Sequence, residues 1–86
     1  MTIHFEDCRE EVKQFAISME KALLENDEKG GWQNDGATYF TDKIYQHTKE
    51  MNLASNQVKY KTALKHAIDI ANYCMMYHDN YFNWRL

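Results

Sequence analysis

The sequence predicts an all-α fold, with three main helices in a small bundle that is completed by oligomerisation. Three observations carry that expectation. The chain has no proline, and its three glycines all fall between residues 30 and 36, so strong breakers act in one place and leave room for long helices on both sides. Apolar residues on each side of that place recur every three or four positions, the period of a helix with one buried face. Finally, 86 residues make one domain, 1–86, that hides only ~60 % of its unfolded surface. Association is the usual remedy for so small a helical chain.

The spacing predicts a first helix from about Phe5 to about Asn26, with Phe5, Cys8, Val12, Phe15, Met19 and Leu23 on its apolar stripe. Glu6, Asp7, Glu10 and Glu11 crowd its opening turns, where carboxylates meet the positive end of the helix dipole. Asn26 followed by Lys29-Gly30-Gly31 reads as a stop and a turn. Residues 27–37 form the one loop, which holds Lys29, Trp32 and several amides. A Trp there can stack on a base while the Lys meets a phosphate. Alternatively, Trp32 covers the end of the bundle and Lys29 is a helix C-terminal cation.

A second helix is expected from about Thr38 to about Leu53, with Phe40, Ile44 and Met51 turned inward and His47 and Glu50 sharing a face. Leu53-Ala54-Ser55-Asn56 reads as a short turn, with Ser55 or Asn56 capping the third helix. That helix runs from about Gln57 past His78. Val58, Leu64, Ala67 or Ile68, Ala71 and Met75 make its stripe, and Lys59, Lys61 and Lys65 its solvated side. Cys74 is expected in the core as a reduced thiol, like the other lone cysteine, Cys8. The aromatic tail, Tyr77 to Leu86, suits a packed subunit contact.

Charge and hydropathy exclude several classes. A net charge of −3 gives no polybasic footprint for nucleic acid or for an anionic membrane. No apolar run approaches spanning length, and the opening Met1-Thr2-Ile3-His4 is not a secretory signal. The chain is therefore expected to be cytoplasmic.

The polar residues of the third helix ask for an explanation. His66, Asp69 and Asn72 step by three along an otherwise Ala/Ile/Met-rich segment, which places them close together on one face. His66/Asp69 repeats the spacing of His47/Glu50. A short connection makes the two helices antiparallel, so the pairs can face each other. Two carboxylates and two imidazoles then converge. Carboxylates suit Mg²⁺ or Mn²⁺, and imidazoles shift the preference toward Zn²⁺, Ni²⁺ or Fe²⁺. The plain alternative is four helix-surface residues that hydrogen-bond locally.

Two stretches resemble a known family. Phe15-Ala16-x-x-Met19-x-x-x-Leu23-x-x-Asn26-x-x-Lys29-Gly30-Gly31-Trp32 resembles the opening of phage and bacterial MazG-like proteins, which belong to the all-α NTP pyrophosphatases. Asp69-Ile70-Ala71-Asn72-Tyr73-Cys74-Met75-Met76 resembles their closing motif. The likeness covers residues 15 to 80, and its two motifs are specific when found together and in order. It implies a helical bundle built by dimers or tetramers, and hydrolysis of a nucleoside triphosphate to the monophosphate and pyrophosphate. The family's Mg²⁺-holding signature is Glu-x-x-Glu, a spacer, then Glu-x-x-Asp. The matching frame here is His47-x-x-Glu50, fifteen residues, His66-x-x-Asp69.

The departure matters chemically. In both pairs the first carboxylate is replaced by histidine, a poor Mg²⁺ ligand, so a Mg²⁺ or Mn²⁺ cofactor is expected to be weak or absent. Metal-assisted activation of water is impaired accordingly. The resemblance carries over Asn26, Lys29, Trp32, Asn72 and Tyr73 as nucleotide-handling residues beside His47, Glu50, His66 and Asp69. Protonated imidazoles would face the phosphates as cations. The expected function is a binding protein of MazG-like fold that holds a nucleotide or nucleotide-derived signal without cleaving it, such as a phage sponge for a host defence signal. One alternative is an active pyrophosphatase using Mn²⁺ or another metal through His47, Glu50, His66 and Asp69. Another is a helical module that inhibits a host protein.

Overall fold

The computed structural model describes residues 1–26 and 31–85, with side chains as far as residue 82. Its described residues form three α-helices and no strand: α1 (Glu10–Glu25), α2 (Ala37–Asn56) and α3 (Tyr60–Arg85), with single 3-10 turns at Phe5–Asp7 and Trp32–Asn34. α2 and α3 make an extensively packed antiparallel hairpin, and α1 leans on α3 more lightly. No helix among the described residues is long and apolar enough to cross a membrane.

The first helix starts later than the periodicity suggests. Cys8 and Arg9 are extended, and the four acidic residues divide: Glu6 and Asp7 open the 3-10 turn, Glu10 and Glu11 open α1. Phe5 is exposed, so no burial rewards carrying the helix through it. At the other end Asn26 caps α1, its backbone N–H bonding to Ala22 and Leu24 carbonyls. Lys29 and Gly30 lie outside the described residues.

The turn between α2 and α3 also falls later than expected. α2 runs through Leu53-Ala54-Ser55-Asn56 without a break because Ala54 is buried against the hairpin. The chain turns at Gln57-Val58-Lys59 instead. Lys59 N–H bonds to the Ala54 carbonyl at 2.8 Å and Val58 N–H to the Ser55 carbonyl at 3.0 Å. This is the paired bonding of a Schellman cap. The cap needs a left-handed residue, and Val58 takes that role at φ 59°, an unusual duty for a β-branched side chain.

The hairpin holds most of the core. Among the described residues the buried apolar side chains are Phe40, Ala54, Ala63 and Met76. Phe40 sits edge-on to Tyr39 and Tyr77. Ala54 and Ala63, on either side of the turn, are small enough to let α2 and α3 approach. Cys74, expected in this core, is exposed. α2 covers one side of α3 and α1 another, and Cys74 falls with His78, four residues on, along the uncovered side.

α1 runs along α3 in the same direction. Phe15 shares a groove with Leu64 and Ala67, the Met19 carbonyl is held by Asn72, and Trp32 beyond the helix reaches Asp79. None of α1's sixteen residues is buried.

Candidate functional site

The antiparallel hairpin brings the two i, i+3 pairs together. His47 Nδ1 and His66 Nδ1 are 2.9 Å apart, so one ring donates to the other, and a hydrogen on both nitrogens would set them head to head. Each ring has a carboxylate from the opposite helix: Asp69 Oδ2 is 3.8 Å from His47 Nδ1, and Glu50 Oε2 is 3.4 Å from His66 Nδ1. The His47 ring also stacks on Tyr73, centroids 5.6 Å apart, and Tyr73 meets Tyr39 edge-on. Both histidines are half-buried between the helices, whereas Glu50 is largely exposed.

Ligand atoms of His47, His66 and Asp69 lie within 4.8 Å of one another. Two ligands at the usual zinc distance subtend about 3.3 Å across a tetrahedral ion, so the imidazoles need part only slightly to admit one. The set offers two nitrogens and one oxygen, which suits Zn²⁺ or a similar transition metal better than Mg²⁺. Glu50 stands beside this trio, near His66, and is not one of its members.

Asn72 does not share the face of His66. Each three-residue step turns a helix by 300°, so His66, Asp69 and Asn72 drift by about 60° per step. Two steps carry Asn72 from the α2 side to the α1 side. There it is buried and its Nδ2 donates to the Met19 carbonyl at 3.1 Å. Its Oδ1 is buried and has no hydrogen-bond partner among the described residues, and Asn72 lines a largely apolar pocket of about 350 Å³ with Met19, Leu23, Trp32 and Met75. Asn72 thus ties α1 to α3.

Asp69, midway in that drift, belongs to both sides. It reaches toward His47 and also lines an open cleft of about 450 Å³ between α1 and α3. Asn26 stands at that cleft with it, and so do Lys21, Lys65 and Glu25. Neither lysine stood out in the sequence as a site residue. The available signal was the i, i+4 spacing of Lys65 and Asp69, which sets a cation beside the carboxylate.

Trp32 is anchored. Its indole N–H donates to Asp79 Oδ2 at 3.0 Å, and Asn80 Nδ2 donates to the Trp32 and Asp35 carbonyls at 2.9 and 3.2 Å. The 3-10 turn is thereby clasped to the last third of α3, and Trp32 lines one pocket with Met19, Leu23 and Met75. The site residues thus divide into a histidine–carboxylate cluster in the hairpin, a lysine-flanked cleft beside α1, and an amide and indole that hold α1 and its loop in place. Lys29 falls outside the described residues.

Compared with known proteins, the chain matches no family model, no curated protein and no solved structure.

Proposed function

We propose that this protein binds a phosphorylated small molecule, a nucleotide or nucleotide-derived signal, in the α1–α3 cleft and does not hydrolyse it rapidly. The observation behind this reading is the meeting of Lys21, Lys65 and Asn26 with Asp69 at one open cleft of about 450 Å³. The volume lies within the range of small-molecule sites. Two lysines supply point charges for phosphate, and the Asn26 amide can donate to a phosphate, sugar or base. The hairpin cluster keeps half the carboxylates of the MazG-like signature. That favours holding a ligand over cleaving it, because ground-state binding alone does not accelerate chemistry. Sequestration of a signalling nucleotide is the role such a protein would play.

Native mass spectrometry against linear and cyclic nucleotides, with and without Mg²⁺ and Mn²⁺, tests the reading. A retained, uncleaved nucleotide is expected, with Lys21→Glu weakening it at least tenfold. Rapid metal-dependent release of pyrophosphate from a common NTP would overturn it.

One observation favours a second reading. His47, His66 and Asp69 are grouped closely enough for a transition metal, as a pyrophosphohydrolase with an altered centre requires. On that reading Asp69→Asn abolishes turnover and leaves the helices folded. The reading fails if neither Mn²⁺ nor Zn²⁺ supports turnover by the parent protein.

A further inference from the structure

The cleft between α1 and α3 holds a charge that phosphate binding leaves unused. Its cations are Lys21 and Lys65, and its carboxylates are Glu25 and Asp69. Each lysine stands four residues before an acid on its own helix, close enough to pair. Among the described residues, however, no ion pair joins Lys21 to Glu25 or Lys65 to Asp69. Asp69 reaches toward His47 instead, 3.8 Å away. Two lysines are accounted for by the phosphates they would hold. Glu25 is not, because a carboxylate repels phosphate and accepts hydrogen bonds only.

The position of Glu25 says which part of a nucleotide it would meet. Ala22 and Ile68 are the apolar members of the cleft lining, and a flat ring can lie against them. Glu25 and Asn26 follow Ala22 by three and four residues on α1, so they stand beside it one turn further on. Both are exposed and can turn toward a ligand. A base resting on Ala22 and Ile68 thus presents its edge to one carboxylate and one amide.

That pair of groups discriminates between bases. The Watson–Crick edge of guanine carries a carbonyl, then a ring N–H, then an amine. The Asn26 amide can donate to the carbonyl, and the Glu25 oxygens can accept from the two adjacent donors. Adenine and cytosine place a bare ring nitrogen beside the amine, where a carboxylate meets it lone pair to lone pair. Uracil and thymine offer one N–H between two carbonyls. Only guanine satisfies both side chains, and a mismatched edge leaves polar groups unpaired.

We propose that Glu25, with Asn26 beside it, reads the base and that the cleft selects guanine nucleotides. This rests on the cleft as the phosphate site and adds the identity of the base.

Titration calorimetry of the full chain with GTP, ATP and ITP in metal-free buffer is the test. The three share ribose and triphosphate, so the lysine contribution cancels between them. GTP is expected to bind about tenfold tighter than ATP or better, the worth of one hydrogen bond to a charged group. ITP, which lacks the amine, should fall between. Glu25→Gln should remove the advantage of GTP while ATP binds as well as before or better, since a negative charge near the phosphates is gone. A merely structural effect would weaken all three alike. Equal binding of GTP and ATP, both weakened by Lys21→Glu, would overturn the assignment of the base and leave the phosphate site standing. A GTP preference that survives in Glu25→Gln would overturn the role of Glu25. Binding of none of the three would remove both the phosphate site and its base selectivity.

Discussion

The α2–α3 hairpin and α1 are held by different forces. In the hairpin, three residues separate two long helices, and the buried side chains Phe40, Ala54, Ala63 and Met76 all belong to it. Its contacts are close in sequence and need little loop closure. α1 has no buried residue. It is tied on by one buried amide, Asn72 to Met19, and by the clasp of Trp32 with Asp79 and Asn80. The histidine cluster lies inside the well-packed half, and the lysine-flanked cleft lies at the seam with the weaker half. Segments with few buried contacts open at lower free energy, so the cleft sits where the molecule yields first.

Phe40→Ala should break this comparison most severely. Phe40 is fully buried, and truncating such a residue costs about 3–5 kcal/mol. For a chain this small that approaches total stability, so circular dichroism should show all three helices lost in one transition. Survival of α2 and α3 would mean the hairpin is not centred on Phe40. Asn72→Ala should act on a smaller scale and at a different place. It removes the amide that holds Met19, and losing a buried hydrogen bond costs about 1–3 kcal/mol. Hydrogen exchange should accelerate across α1 and leave the hairpin amides protected. Uniform acceleration along the chain would show that α1 and the hairpin unfold as one unit.

Legibility in the sequence divides along the same line. The hairpin could be read because its signals are local: helical periodicity, glycines gathered in one loop, and i, i+3 pairs that antiparallel helices must bring together. His47 and His66 meet as that reasoning requires. The seam could not be read, because α1's position on α3 depends on contacts such as Met19 with Asn72, 53 residues apart. Lys21 reaches the cleft only through that placement. The displacement of Asn72 from the His66 face was calculable, since the 60° drift per step is a property of any helix. The break at Cys8 and Arg9 had no marker, because neither residue is a breaker.

The turn at Val58 provides the finest test, and it lies wholly within the hairpin. Its position was obscured because a left-handed cap is normally marked by glycine or asparagine, and here a valine does that work. A residue with a Cβ pays about 1–2 kcal/mol in the left-handed region, and glycine there adds about 0.5–1 kcal/mol of unfolded-state entropy. Val58 is 68 % exposed, so removing its side chain forfeits little burial. Val58→Gly should therefore stabilise the protein by about 0.5–1 kcal/mol, raising the thermal midpoint by a few degrees. Val58→Ala keeps the Cβ, so most of that gain should be absent. A loss of stability in Val58→Gly would mean that the valine side chain makes contacts offsetting its strain. Because the turn lies apart from the cleft, the gain should come with unchanged hydrogen exchange in α1, which separates a better hairpin from a better-docked arm.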